Sequence, residues 1–229
     1  RIGTWRRLYH LVHCNRWVNL ARSGAEIHEG VLNTKLFKPL FPELVQESLD
    51  NLPLPKLQVK KQFPKVDALL DPSRKPIVLH PGSNGHGREW ALSRWQKLAA
   101  QLDPAVYQVF VTGSPGEAER FSSACWPDSV ENIMGQLSLE EFIALIAGCH
   151  GLIAGSTGPV HIAGGLGIHT LALQSSSPGR GPWRWKPLGE KAEYLAIIPH
   201  CAGDCTAEAC PCIEAIEVKH VLSRVLAWV

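Results

Sequence analysis

A turn of small residues at 155–159, Gly-Ser-Thr-Gly-Pro, carries the clearest chemistry in this chain of 229 residues. It follows a short apolar run, Leu152-Ile153-Ala154, and leads into a stretch of small and apolar residues that reads as a helix start. A Ser or Thr at an N-cap can accept from a free backbone N–H. Proline suits the first helical position, where the N–H it lacks would have had no partner. A strand feeding such a helix start places unpaired N–H groups and the positive dipole end beside the strand's carboxyl edge, which is a seat for a phosphate. Gly155 and Gly158 keep side chains out of the way of an approaching anion. The same turn also serves as a plain connection in α/β proteins, so its chemistry depends on what surrounds it.

The surroundings read as alternating strands and helices. Ile77-Val78-Leu79 is a buried-strand pattern that stops at His80-Pro81-Gly82-Ser83-Asn84. A helix with Ser93 at its start is expected over 93–102, a strand over Val106 to Val111, and a helix from Glu117 to Ala124. Ile133 marks a short strand; Ser138 opens a helix with Glu141 at the capping-box position. After the turn at 155–159 and its helix come strands at Thr170 to Leu173 and near Leu195 to Ile198, then a last helix over 214–228. This alternation predicts a parallel sheet with helices on both faces, in which ligands gather outside the carboxyl ends of the strands. Prolines 53, 55, 64, 72 and 76 break the pattern upstream. They divide the chain into residues 1–55, a proline-rich connector at 56–75, and an α/β domain at 76–229.

Bulk composition narrows the function classes. A formal net charge of +2 gives no electrostatic reason to expect nucleic acid as a partner. No apolar run is long enough to span a bilayer as a helix. Of the seven cysteines, Cys14, Cys125 and Cys149 stand alone and read as small buried hydrophobes. Cys201, Cys205, Cys210 and Cys212 have the spacing C-x3-C-x4-C-x-C, unlike the paired zinc pattern, and leave three states open: reduced loop thiols, a disulfide or a metal site. No resident metal or cofactor is expected. The glycines at 164, 165 and 167 fall at the end of a helix, where they read as a C-cap and not as the fingerprint of a dinucleotide site.

Four motifs in order then converge on a family. Leu79-His80-Pro81-Gly82-Ser83, Arg88-Glu89-Trp90 ahead of Trp95, Gly135 with Leu137-Ser138-Leu139-Glu140, and Gly158-Pro159-Val160-His161-Ile162-Ala163 together resemble the lipopolysaccharide heptosyltransferases, glycosyltransferase family 9. The resemblance implies a GT-B architecture of two Rossmann-like domains, of which 76–229 is the nucleotide-sugar-binding one and 1–55 the tail of the acceptor-side one. It further implies inverting, metal-independent transfer of a sugar, usually heptose from ADP-heptose, to a lipid-linked oligosaccharide acceptor. The work would then be done at the cytoplasmic face of the bacterial inner membrane. Trp5, Arg6, Arg7 and Trp17 are candidates for peripheral contact with lipid or acceptor, or ordinary domain surface.

Carried over residue by residue, the resemblance puts a phosphate-gripping cation at Arg88, where the family has lysine. Ser83 lies on the loop toward the same diphosphate. Glu117, with Glu119 as its neighbour, matches a carboxylate that accepts from the ribose hydroxyls. Leu137 meets the adenine, Thr157 and Gly158 form the phosphate turn, and His161 follows them toward phosphate or sugar. Ser156 stands where the family has a sugar-contacting aspartate, and Gln174 to Arg180 lacks the family's usual Gly-Pro-Thr-Asp-Pro. The general base, an aspartate early in the family's N-terminal domain, has no counterpart in 1–229. A non-catalytic or divergent nucleotide-sugar-binding module of the same fold is the alternative reading.

Overall fold

The computed structural model describes residues 1–5, 8–22, 26–85, 87–197, 201 and 210–228. The elements of its first part are β1 (Ile2–Thr4), α1 (Leu8–His13), β2 (Arg16–Val18), α2 (Glu29–Thr34) and α3 (Pro64–Asp67). The chain continues through β3 (Lys75–His80), α4 (Leu92–Gln101), β4 (Tyr107–Val111), α5 (Pro115–Arg120), β5 (Val130–Asn132) and α6 (Leu139–Gly148). It ends with β6 (Gly151–Gly155), α7 (Gly158–Leu166), β7 (His169–Leu173), α8 (Pro182–Trp185), β8 (Ala192–Leu195), α9 (Pro211–Glu214) and α10 (Val218–Leu226). Two bodies form. One comprises Arg1–Pro53 and Pro178–Lys186, the other Leu54–Ser177 and Pro187–Val229, so the chain passes between them at 53–54, 177–178 and 186–187.

The larger body is a six-stranded parallel sheet in the order β5-β4-β3-β6-β7-β8. Parallel strands need crossover connections, and helices supply them on both faces. The side-chain period of two sorts the strand residues between those faces. Ile77, Leu79, Val109, Val111, Ile153, Leu171 and Leu173 pack on one side with Trp95 and Leu98 of α4 and Val221 and Val225 of α10. Val78, Phe110, Leu152, Ala154 and Ala172 pack on the other with Leu145 and Ile146 of α6 and Val160 and Ala163 of α7. The strand order reverses between β3 and β6, which pair directly through Ile77 with Gly151 to His80 with Ala154. That reversal is the switch point where open α/β sheets leave a crevice at their carboxyl edge.

The smaller body holds the parallel pair β1–β2 and a small core of Val18, Leu20 and Leu32. Its buried carboxylate, Glu29, pairs with Arg22 and with Arg184, the latter at 3.1 Å. His28 Nε2 lies 3.0 Å from the Lys186 carbonyl oxygen. These contacts tie the stretch 178–186 to the first body. The proline-dense stretch at 56–75 groups with the larger body; it carries α3, whose Val66 is buried, and the Leu57 N–H donates to the Gly165 carbonyl at 2.7 Å. Among the described residues no helix is long and apolar enough to cross a membrane.

Several local expectations change. The N-cap of α4 is Ala91 rather than Ser93, and the strand expected at Ile133 is β5, ending one residue earlier. The expected final helix is two helices, because the chain breaks at Ala215–Glu217, where the Ile216 carbonyl accepts from Trp90 Nε1 at 2.7 Å. The strand expected near Leu195 to Ile198 is β8, which ends at Leu195; Ile198 lies outside the described residues, as do Arg6, Arg7 and Cys205. Cys149 is buried and its thiol pKa is pushed up by burial, whereas Cys125 is exposed and is not a core residue. Among the described residues no cluster of three or more His, Cys, Asp or Glu could hold a metal ion.

Of the three glycines read as a C-cap, only Gly167 takes that role, with φ of 77°. Gly164 and Gly165 are buried inside α7, and a Cβ on Gly164 would lie 2.5 Å from the Leu188 carbonyl oxygen. Gly164→Ala is therefore expected to destabilise the protein by about 1–3 kcal/mol through overpacking against backbone. Gly116→Ala, on α5 with open space around it, should be neutral or stabilising by up to about 1 kcal/mol. Urea unfolding of both variants checks the pair, and equal effects would contradict the close approach.

Candidate functional site

Three loops meet at the carboxyl edge of the sheet, following β3, β4 and β6. The second of them runs into α5 through a capping box: Ser114 Oγ accepts from the Glu117 N–H, and the Glu117 carboxylate accepts from the Ser114 N–H at 2.8 Å. The same carboxylate also accepts from the Ser114 hydroxyl at 3.0 Å and from the Asn84 N–H, on the β3 loop, at 3.0 Å. A helix-capping residue thus ties two loops together. Gly82 permits this, since a Cβ there would sit 2.0 Å from Glu117 Oε1. Asn84 takes φ of 48°, a left-handed conformation that Asn tolerates better than most residues.

Beside Glu117 a cavity of about 270 Å³ opens between β3, β4 and the start of α6. Its polar side is formed by His80, Asn84, Thr112, Ser114 and Glu117; Ile133, Leu137, Leu139 and Phe142 supply apolar wall. An apolar slot with a few convergent polar groups is the usual form of a small-molecule site. His80, the last residue of β3, lies with Nδ1 3.0 Å from Thr112 Oγ1 and stacks on Phe142 at 5.5 Å between ring centroids. Burial lowers the His80 pKa below its ordinary value, against the attraction of Glu117. For Glu117, burial acts to raise the pKa. The N–H groups of Ser114 and Asn84, His80 and the Ser114 hydroxyl outweigh it, so the carboxyl stays below its ordinary range and ionised.

The candidate residues fall into two groups. Glu117 and Leu137 line the cavity, while Glu119 is exposed, so Glu117 is the carboxylate of the pair that faces it. Ser83, Arg88, Ser156, Thr157 and Gly158 gather at the β3–β6 reversal. A Cβ on Gly87 would lie 3.1 Å from Ser83 Cβ and 3.6 Å from the Ser156 carbonyl oxygen, and one on Gly155 would lie 3.6 Å from the Arg88 carbonyl oxygen. His161 sits in the first turn of α7, half-buried and outside the cavity lining. Thr157 is the N-cap of α7, but its hydroxyl makes no cap bond and is directed at the Gly155 carbonyl 3.5 Å away. The expected hydroxyl cap is thus absent, and the helix start keeps its N–H groups clear of it. Space around Gly158 is open.

Sequence reading passed over His80, Thr112, Asn84 and Phe142 as site residues. His80 is visible as the last residue of β3 and Asn84 in the loop that follows it, whereas Phe142 reads as an ordinary apolar helix residue and only the tertiary fold turns it to the cavity. The two cavity titrations have a consequence for pH. Unfolded, His80 gains a proton below its ordinary 6.5, and the folded protein resists, so stability falls as pH drops through that value. His28 and His150, also lowered by burial, share that window. Glu117 adds a second loss below its ordinary 4.5. Denaturant midpoints across this range should show both steps, with His80→Phe reducing the first and Glu117→Gln the second; unchanged profiles in both variants would contradict the burial argument.

The family model of glycosyltransferase family 9 (heptosyltransferase) matches residues 31–212. Lipopolysaccharide heptosyltransferase 2 of Salmonella typhimurium is 30% identical over 155 residues, which cover 63% of this chain and 43% of that protein. Among solved structures, the Escherichia coli ADP-heptose lipopolysaccharide heptosyltransferase II is 23% identical with a TM-score of 0.65, over 87% of this chain and 58% of that one. A family 9 glycosyltransferase of Veillonella parvula is 16% identical with a TM-score of 0.70, over 93% and 62%. The chain therefore spans about half the length of these relatives. The fold is α/β and of the GT-B type, the match covers most of the sequence, and the chain belongs to glycosyltransferase family 9, the heptosyltransferases.

Proposed function

We propose that the larger body is the donor-binding domain of an inverting glycosyltransferase, which moves heptose from ADP-heptose to a lipopolysaccharide core acceptor carried on a lipid. The observation that carries this reading is the cavity at the carboxyl edge, where one ionised carboxylate, Glu117, stands opposite an apolar wall of Leu137 and Phe142. A carboxylate that only accepts is suited to a ribose diol, and an apolar slot to a purine. At about 270 Å³ the cavity suits a nucleoside, leaving diphosphate and sugar to the β3–β6 reversal outside it.

There the start of α7 and Arg88 would meet the diphosphate. An arginine can grip two phosphate oxygens at once. N–H groups and a cation fixed in advance would stabilise the charge that develops on the departing ADP, the task a metal performs elsewhere. We accordingly read the transfer as metal-independent. Ser156 and His161 would stand on the sugar side of the diphosphate. The general base is not assigned among residues 1–229, and contact with the membrane surface would come through the acceptor.

The test is a thermal-shift titration with ADP, UDP, GDP and NADH. ADP at about a hundred times its Kd should add about 2.7 kcal/mol of stability, with the other three well behind. Glu117→Gln and Arg88→Gln should each weaken ADP by about tenfold or more, the scale of a lost charge-assisted contact. A preference for UDP or GDP would change the donor, and unchanged ADP affinity in both variants would overturn the site.

A further inference from the structure

The β3 loop already holds an anion of its own. Glu89 Oε1 accepts from the Ser83 N–H at 2.9 Å and from the Ser83 hydroxyl at 2.7 Å. The Ser83 oxygen in turn accepts from the Gly87 N–H at 3.1 Å. A hydroxyl has one proton to give, and that of Ser83 is committed to Glu89. The two donors that Ser83 could offer a phosphate oxygen are thus both taken by a carboxylate, which competes for the same charge-assisted geometry.

Glu89 is also tied from the other side. Arg120, the last residue of α5, places Nη2 2.9 Å from Glu89 Oε2 and 3.0 Å from Oε1. The Glu89 side chain is 23% exposed and that of Arg120 is 43% exposed, so both can shift toward solvent without leaving a buried charge unpaired. Arg120 alone could therefore hold the carboxylate in a position that does not use Ser83.

We propose that Glu89 is an internal competitor for the phosphate position at Ser83: a nucleoside diphosphate engages Ser83 only when the Glu89 carboxylate withdraws onto Arg120. Glu89 and Arg120 then set, with opposite signs, how strongly the site prefers a diphosphate over the bare nucleoside. The proposal rests on the nucleotide reading above. It concerns only the phosphate side, because neither residue lines the cavity.

Adenosine and ADP affinities, measured by calorimetry on the protein and its variants, separate the two sides. Adenosine probes the cavity alone, so the ratio of ADP to adenosine affinity isolates the contact with phosphate. Glu89→Gln should raise that ratio about three- to tenfold, and Arg120→Gln should lower it by a similar factor, with adenosine affinity unchanged in both. Ser83→Ala added to Glu89→Gln should cancel the gain. Glu89→Asp, shorter by one methylene and drawn back from Ser83, should move the ratio in the same direction if the amide variant folds poorly. A ratio that stays constant or falls in both Glu89 variants would overturn the proposal and make Glu89 a brace of the loop, while leaving the nucleotide reading intact. Wild-type protein that binds neither ligand would overturn both.

Discussion

The carboxylate of Glu117 is the contact on which the carboxyl edge depends. It accepts from the N–H groups of Ser114 and Asn84, residues on loops that follow two different strands, and so fixes the spacing between those loops. Because hydrogen bonds to its charged form outweigh burial, the group stays ionised although little of the residue is exposed. Gly82 is a consequence: the carboxylate packs where a side chain would begin. His80 is another, held beside this charge with its pKa lowered by burial, and joined to Thr112 and Phe142. The cavity's shape follows from a capping interaction that also ends in a second loop.

The switch point gives the same edge its second group of loops. Strands β3 and β6 pair there, and the loops that follow them approach each other at residues 87 and 156 and at 88 and 155. Parallel sheets covered on both faces put all their connections at two ends, so the loops that carry polar residues are collected on one edge without any long-range design. Here that edge carries an apolar slot with a carboxylate and, beside it, the β3–β6 reversal, where the backbone of Arg88 lies near Gly155.

Much of this was legible in the sequence. Two of the capping boxes announce themselves locally, Ser114 with Glu117 and Ser138 with Glu141; the spacing predicts the second, whereas the helix that carries the first is expected only from Glu117. The apolar runs at 77–79 and 152–154 give the central strands, since burial on both faces leaves no polar alternation to confuse them. What was hidden depends on partners distant in sequence. Glu89 stands in the sequence only as the middle of Arg88-Glu89-Trp90, and its partners, Ser83 and Arg120, 31 residues on, appear only in the fold. The break between α9 and α10 at Ile216 follows from packing against Trp90, and Gly164 follows from a backbone approach at Leu188. No periodicity encodes such meetings.

The stretch 178–186 belongs to the first body through Arg184 and Glu29, yet it is flanked on both sides by strands of the second. Neither body is therefore a continuous piece of gene. A fragment starting at residue 54 would carry this stretch as a loop whose arginine has lost its buried carboxylate, and one ending at residue 53 would leave Glu29 facing Arg22 alone. A single protease cut at 177–178 would leave residues of both bodies on each of the two fragments, and one at 53–54 would leave the stretch 178–186 attached to the second body. Dissecting this protein into independent domains calls for grafting or permuting the chain, because trimming it cannot separate them.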